Sequence, residues 1–114
     1  MIDYRTEVVG KNEDVLVVHL RGRMDSVTSD FLFDVFSSQV ESDLNRVVID
    51  CEELDYVSSS GLAALVRLHS RLRKAGGIVK LAAVNSSITD VLRVVHFEKL
   101  FGIYDTVDDA VLAF

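Results

Sequence analysis

The residues best suited to chemistry in this chain are three consecutive serines, Ser58, Ser59 and Ser60, followed by Gly61. An apolar segment precedes them and a segment of helical periodicity follows, which predicts three hydroxyls at a helix N-terminus. Backbone N–H groups lack helical partners there and carry a partial positive charge. Ser58 or Ser59 can cap such a helix, and a phosphate could also be accommodated. The local sequence leaves both interpretations open.

A catalytic serine is the first alternative. A serine nucleophile needs a nearby base and a strained turn of the type G-x-S-x-G, and only the glycine after the serines is present. The histidines His19, His69 and His96 are scattered, without an H-x-x-x-H pair or carboxylates at ligand spacing. His69 falls on the core-facing side of its helix and is expected to be a packed or rim residue rather than a ligand. The sequence therefore predicts no catalytic residue, no cofactor and no metal ion.

A second alternative is Asp50, which follows the apolar run Val47-Val48-Ile49 and is expected to end a strand. An aspartate there resembles the phosphoacceptor of response-regulator receivers. Those domains also need an acidic pair after their first strand, where this chain has Val9-Gly10-Lys11. They open with a parallel βα unit, whereas a hairpin is expected here. We therefore interpret Asp50 as a polar strand-end residue.

Composition limits the class of protein. A chain of 114 residues is one domain with a real core, and its net charge of −6 argues against general nucleic-acid binding. The single cysteine, Cys51, cannot form an internal disulfide. The N-terminus does not resemble a signal peptide, and no apolar run approaches the roughly 20 residues that span a bilayer. We expect a cytoplasmic protein without membrane insertion or direct nucleic-acid contact.

Hydrophobic periodicity predicts the elements that position the serines. Strand-like patterns occur at five places: 2–8, 15–20, 46–51, 78–84 and 103–104. Helices are predicted to begin at Thr28, Ser60, Ile88 and Thr106. The first two strands are expected to pair as a hairpin, with Gly22 ending the second. The order predicts an α/β fold, a single domain in which helices flank a mixed β-sheet.

Several motifs, in this order and spacing, resemble the STAS domain, specifically the bacterial anti-sigma factor antagonists. Val47-Val48-Ile49-Asp50, followed by the run from Leu54 to Leu62, resembles an apolar strand ending in Asp, a Leu and an aromatic residue, then D-S-[ST]-G-[LI]. The segment Leu20-Arg21-Gly22-Arg23-Met24-Asp25 is similar to the family's G-x-[LI]-D. The likeness covers nearly the whole chain and implies one STAS domain over residues 1–114.

The resemblance implies a partner-switching regulator. Such a protein binds an anti-sigma factor, which is also a serine kinase of the histidine-kinase-like ATPase type, and thereby frees a sigma factor. Phosphorylation of a serine ends the binding, and a PP2C-type phosphatase restores it. By position, Ser59 is the implied phosphoacceptor, with Ser60 and Ser58 as successive runners-up.

The implied partner-binding surface joins two turns and comprises Asp25, Thr28, Ser58, Ser59, Ser60 and Gly61. We expect Gly61, which has no side chain, to leave room for a kinase, and Ser60 to be engaged in local hydrogen bonds. Ser58 stands where the family has an aspartate, so a negative charge is lost. This departure keeps an alternative open: a STAS scaffold that is not phosphorylated, such as a subunit of a lipid-transport or stress-signalling complex.

Overall fold

The computed structural model describes residues 2–25, 30, 34, 46–74, 76–94, 96 and 100–114. The described residues form five strands: β1 (Ile2–Val9), β2 (Val15–Met24), β3 (Arg46–Val57), β4 (Ile78–Ala82) and β5 (Gly102–Tyr104). They also form three helices: α1 (Ser59–Lys74), α2 (Ser86–Val94) and α3 (Val107–Leu112). Of the helix predicted from Thr28, the structure describes Asp30 and Asp34, which are both helical, and the rest lies outside the described residues.

The five strands form one mixed sheet in the order β1-β2-β3-β4-β5. The first two strands pair antiparallel, so the predicted hairpin is confirmed. The remaining neighbours pair parallel, with the short strand β5 at the far edge. The predicted α/β fold with a mixed sheet is therefore confirmed.

The centre of the sheet is buried on both faces, which explains the continuous apolar run in β3. Val47 and Ile49 pack into a large core with leucines of α1 and α2. Val48 points to the other face and packs into a smaller cluster with Ala110 of α3. Successive strand residues face opposite sides, so a strand covered on both sides must be apolar without interruption.

Two strands run further than their sequences predict. Gly22 does not end β2, and Asp50 is not a strand-end residue, because the strands continue to Met24 and Val57. Gly22 has a φ of +106°, and the pairing register shifts between Gly22 and Arg23. A bulge of this kind absorbs extra residues without ending the pairing. As a result, β2 and β3 end side by side.

The helices α2 and α3 are each capped at the N-terminus by a side chain. Asn85 Oδ1 accepts a hydrogen bond from the Ile88 N–H at 2.9 Å, and Thr106 Oγ1 accepts one from the Asp109 N–H at 3.1 Å. Helix α2 therefore starts at Ser86, two residues before the predicted Ile88, and Thr106 caps α3. Among the helices of the described ranges, none is long and apolar enough to span a membrane.

Candidate functional site

Ser58 is the N-cap of α1. Its Oγ accepts a hydrogen bond from the Gly61 N–H at 3.1 Å, so the helix starts at Ser59, one residue before the predicted Ser60. Serine and aspartate are similarly good N-caps. The chain therefore keeps a cap at the position where the family pattern has an aspartate, and only the negative charge is missing.

The hydroxyls of Ser59 and Ser60 lie exposed on the first turn of α1. Neither makes a hydrogen bond with any residue that the structure describes. The prediction that Ser60 is engaged in local hydrogen bonding is therefore wrong, because the capping bond is made by Ser58 instead. Backbone N–H groups in a first helical turn have no helical acceptor, and α1 has no acidic residue there. No acidic side chain within the first turn of α1 would therefore repel a negative group placed there.

Gly61 is required by packing inside the molecule. A Cβ at this position would lie 2.8 Å from the Met24 carbonyl oxygen and 2.9 Å from Val57 Cγ1. The prediction that Gly61 leaves room for a kinase is wrong, because the strand ends of the chain itself occupy that space. The missing side chain lets α1 approach the ends of β2 and β3 closely.

A backbone hydrogen bond joins the two predicted turns. The Ser58 N–H donates to the Met24 carbonyl oxygen at 2.8 Å, and the half-buried Asp25 follows Met24 directly. The structure therefore places Asp25 beside the serine turn (residues 58–61), where the parallel strands β2 and β3 end. Thr28, the remaining predicted surface residue, lies outside the described residues.

Sequence reasoning missed a polar network on the sheet face that α3 only partly covers. His19 Nδ1 lies 2.6 Å from Asp50 Oδ2, and His19 Nε2 lies 2.7 Å from Glu7 Oε1. Burial lowers the pKa of His19, but hydrogen bonds to Glu7 and Asp50 and the charge of Asp50 outweigh it, so the pKa is raised. The imidazolium form is thus stabilised between two carboxylates. The signal in the sequence is the shared sheet face, which is visible only once the strand register is known.

Two buried titratable side chains, His69 and Cys51, are part of the core. His69 packs with its ring edge against Phe101, at 5.4 Å between ring centroids, which confirms its predicted core position. Burial and the charge of Arg73 lower the pKa of His69. Burial, and secondarily Asp50, raise the pKa of the Cys51 thiol to about 12. Within the described ranges, no group of three or more His, Cys, Asp or Glu residues could hold a metal ion.

Comparison with known proteins gives one consistent family. The STAS domain model matches residues 8–110. A Bordetella bronchiseptica protein described as an anti-sigma factor antagonist, BtrV, is 28% identical over 104 residues, covering 91% of this chain and 90% of that protein.

Two solved structures have the same fold. The crystal structure of an anti-sigma factor antagonist from Mycobacterium paratuberculosis is 26% identical, with a TM-score of 0.85, and the match covers 99% of this chain and 93% of that one. The Bacillus cell fate determinant SpoIIAA in its phosphorylated form is 16% identical, with a TM-score of 0.77 over 97% of this chain and 98% of that one. Because the family model matches most of the chain, and the mixed sheet matches these structures, the chain belongs to the STAS domain family.

Proposed function

We propose that this STAS domain, spanning residues 1–114, is an anti-sigma factor antagonist that acts in the cytoplasm. It binds an anti-sigma factor of the histidine-kinase-like ATPase type and thereby frees a sigma factor. The observation that carries the proposal is the exposed Ser59 hydroxyl, which has no hydrogen-bond partner among the described residues and lies in the serine turn beside Asp25, where β2 and β3 end together. The relatives named as anti-sigma factor antagonists support the same assignment.

Ser59 is the phosphoacceptor in this proposal. Its hydroxyl is exposed and makes no hydrogen bond with a described residue, whereas Ser58 is used as the cap. A phosphate adds about −1.5 to −2 charges at neutral pH, and a helix N-terminus tolerates such a charge. SpoIIAA retains this fold in its phosphorylated form, which supports a modification that leaves the domain folded.

Phosphorylation ends binding through charge. An unpaired charge in a protein interface costs several kcal/mol, and about 1.4 kcal/mol is a tenfold change in affinity. The anti-sigma factor acts as the serine kinase, and a PP2C-type phosphatase restores the binding-competent form. The domain itself catalyses no reaction in this scheme.

Phosphate mapping tests the acceptor. The chain is incubated with ATP and a purified ATPase-type anti-sigma factor from the same genome, and the product is mapped by fragment-ion mass spectrometry. We expect phosphate on Ser59, lost in Ser59→Ala and retained in the neighbouring Ser60→Ala control. A Ser59→Ala variant that takes up phosphate at the wild-type rate would show that the acceptor is another residue. With an active kinase, the absence of phosphate on all three serines would favour the unphosphorylated scaffold.

Calorimetry with the same anti-sigma factor tests the surface. We expect Ser59→Glu and Asp25→Lys each to weaken binding about tenfold or more, because each places an unmatched charge in the interface. The matched control is Ser70→Glu, which adds the same charge on an exposed position of α1 about three turns away. Far-UV circular dichroism should be unchanged in all three variants. Wild-type affinity in both Ser59→Glu and Asp25→Lys would exclude this surface.

A further inference from the structure

An apolar groove lies beside the serine turn, between the end of β3 and the starts of α1 and α2. Its volume is about 250 Å³. It is lined by Asp55, Tyr56, Val57, Leu62, Ser87, Ile88 and Val91. Leu62 and Ile88, each 7% exposed, form the floor, whereas Tyr56 and Val91 are more than 40% exposed at the rim. We call this feature the β3–α2 groove.

The Tyr56 ring forms one wall of the groove. The Arg23 guanidinium lies 4.4 Å from the centre of this ring, in a cation–π contact that orients it. An apolar cavity of about 150 Å³ is large enough for a benzene ring, so the groove has room for one large side chain. Covering exposed apolar surface removes it from water and is favourable. The groove is therefore a suitable receptor for an aliphatic or aromatic side chain.

The position and charge of the groove indicate which molecule supplies that side chain. Val57 and Leu62 line the groove and directly flank the serine turn, so a partner seated on the turn also covers the groove. Asp55 lies at the rim, is exposed, and forms no ion pair with a residue that the structure describes. This carboxylate complements a basic group beside the inserted side chain.

We propose that the β3–α2 groove receives one large apolar side chain of the anti-sigma factor, next to a lysine or arginine that pairs with Asp55. The inference rests on the proposed function and adds a contact that is independent of the phosphoacceptor. The groove then supplies affinity through burial, whereas the serine turn supplies the switch through charge.

A matched pair of variants on α2 tests the groove. Val91 lines the groove and is 44% exposed, whereas Val94 is 78% exposed and does not line it. We expect Val91→Arg to weaken binding of the purified anti-sigma factor about tenfold or more, because the new side chain fills the groove and pairs with Asp55. Val94→Arg, with the same charge on the same helix, should change affinity less than about twofold.

The outcomes separate the two proposals. If Ser59→Glu weakens binding while Val91→Arg binds like Val94→Arg, the groove inference is wrong and the proposed function stands. If the unmodified wild type does not bind the anti-sigma factor, both are wrong. A wild-type dimer that Val91→Arg converts to monomer in light scattering would assign the groove to a second copy of the chain and overturn the inference. A fatty acid released on denaturation would overturn it in favour of a lipid occupant.

A measurement on the wild type removes any dependence on how the variants fold. Methyl resonances of Val57, Ile88 and Val91 should shift when the anti-sigma factor is added, whereas those of Val94 should not. Unshifted groove methyls in a saturated complex would overturn the inference even if Val91→Arg were unstable.

Discussion

The His19 cluster, formed with Glu7 and Asp50, and the serine turn at the ends of β2 and β3 differ in how many of their polar side chains are hydrogen-bonded. In the middle of the strands, both ring nitrogens of His19 meet a carboxylate, and Asp50 also accepts the Glu52 N–H at 3.1 Å. In the serine turn, the Ser58 hydroxyl accepts the Gly61 N–H, whereas the hydroxyls of Ser59 and Ser60 have no hydrogen-bond partner among the described residues. The fold uses the first cluster to join three strands. The second cluster remains available to another molecule.

Gly61→Ala should have the largest effect on stability, because the new side chain would push the serine turn away from Met24 and Asp25 at the end of β2. The new Cβ would lie 2.8 Å from the Met24 carbonyl oxygen, so backbone must move. We expect a loss of about 2 to 3 kcal/mol in the free energy of unfolding, measured by urea denaturation.

The control for Gly61→Ala is Gly76→Ala. Gly76 has a φ of +78°, but no atom of a described residue, its chain neighbours aside, lies within 4 Å of a Cβ built there. We expect this variant to cost about 1 kcal/mol, from backbone strain alone. If Gly61→Ala cost no more than Gly76→Ala, close approach of the strand ends would not be what requires the glycine.

His19→Gln should have a smaller, pH-dependent effect on the free energy of unfolding, which tests the cluster of His19, Glu7 and Asp50. A group whose pKa is raised on folding stabilises the protein below its unfolded pKa, and this contribution is lost as pH rises through the folded pKa. We expect the variant to lose about 1.5 kcal/mol near pH 5.5 and clearly less near pH 9. The exposed His96→Gln is the control. A pH-independent difference between wild type and His19→Gln would contradict the charged network.

Ser58→Ala should have the smallest effect of these three substitutions. It compares Ser58, whose hydroxyl caps α1, with Ser60, whose hydroxyl has no partner among the described residues. Loss of the cap should cost about 1 kcal/mol in thermal or chemical unfolding, whereas Ser58→Asp should retain wild-type stability. The control is Ser60→Ala, for which we expect no measurable change. Equal stability of Ser58→Ala and Ser60→Ala would show that the capping bond contributes nothing.

The features that the sequence predicts correctly have local signals. The hairpin follows from alternation on either side of a short turn, and the start of α3 follows from the capping residue Thr106 itself. In the candidate site, the adjacency of Asp25 and the serine turn follows from two turns after neighbouring parallel strands.

The features that the sequence does not predict depend on distant residues. The partners of His19 lie 12 and 31 residues away along the chain. Gly61 is needed because of Met24 on another strand, and β3 continues past Asp50 because β2 offers a partner beyond the bulge at Gly22. The groove likewise combines residues of β3, α1 and α2 that no local pattern connects.

The reactivity of the buried Cys51 thiol reports how often the folded domain opens. Thiol reagents attack the thiolate, and a pKa of about 12 leaves almost none of it in the folded state at neutral pH. Labelling therefore proceeds through molecules that have opened, and its rate measures how often β3 leaves the core. The stability variants above all retain this thiol. The labelling rate, followed by the mass that the reagent adds, therefore ranks the stability of these variants in native buffer. The same measurement reports how strongly a bound anti-sigma factor suppresses opening.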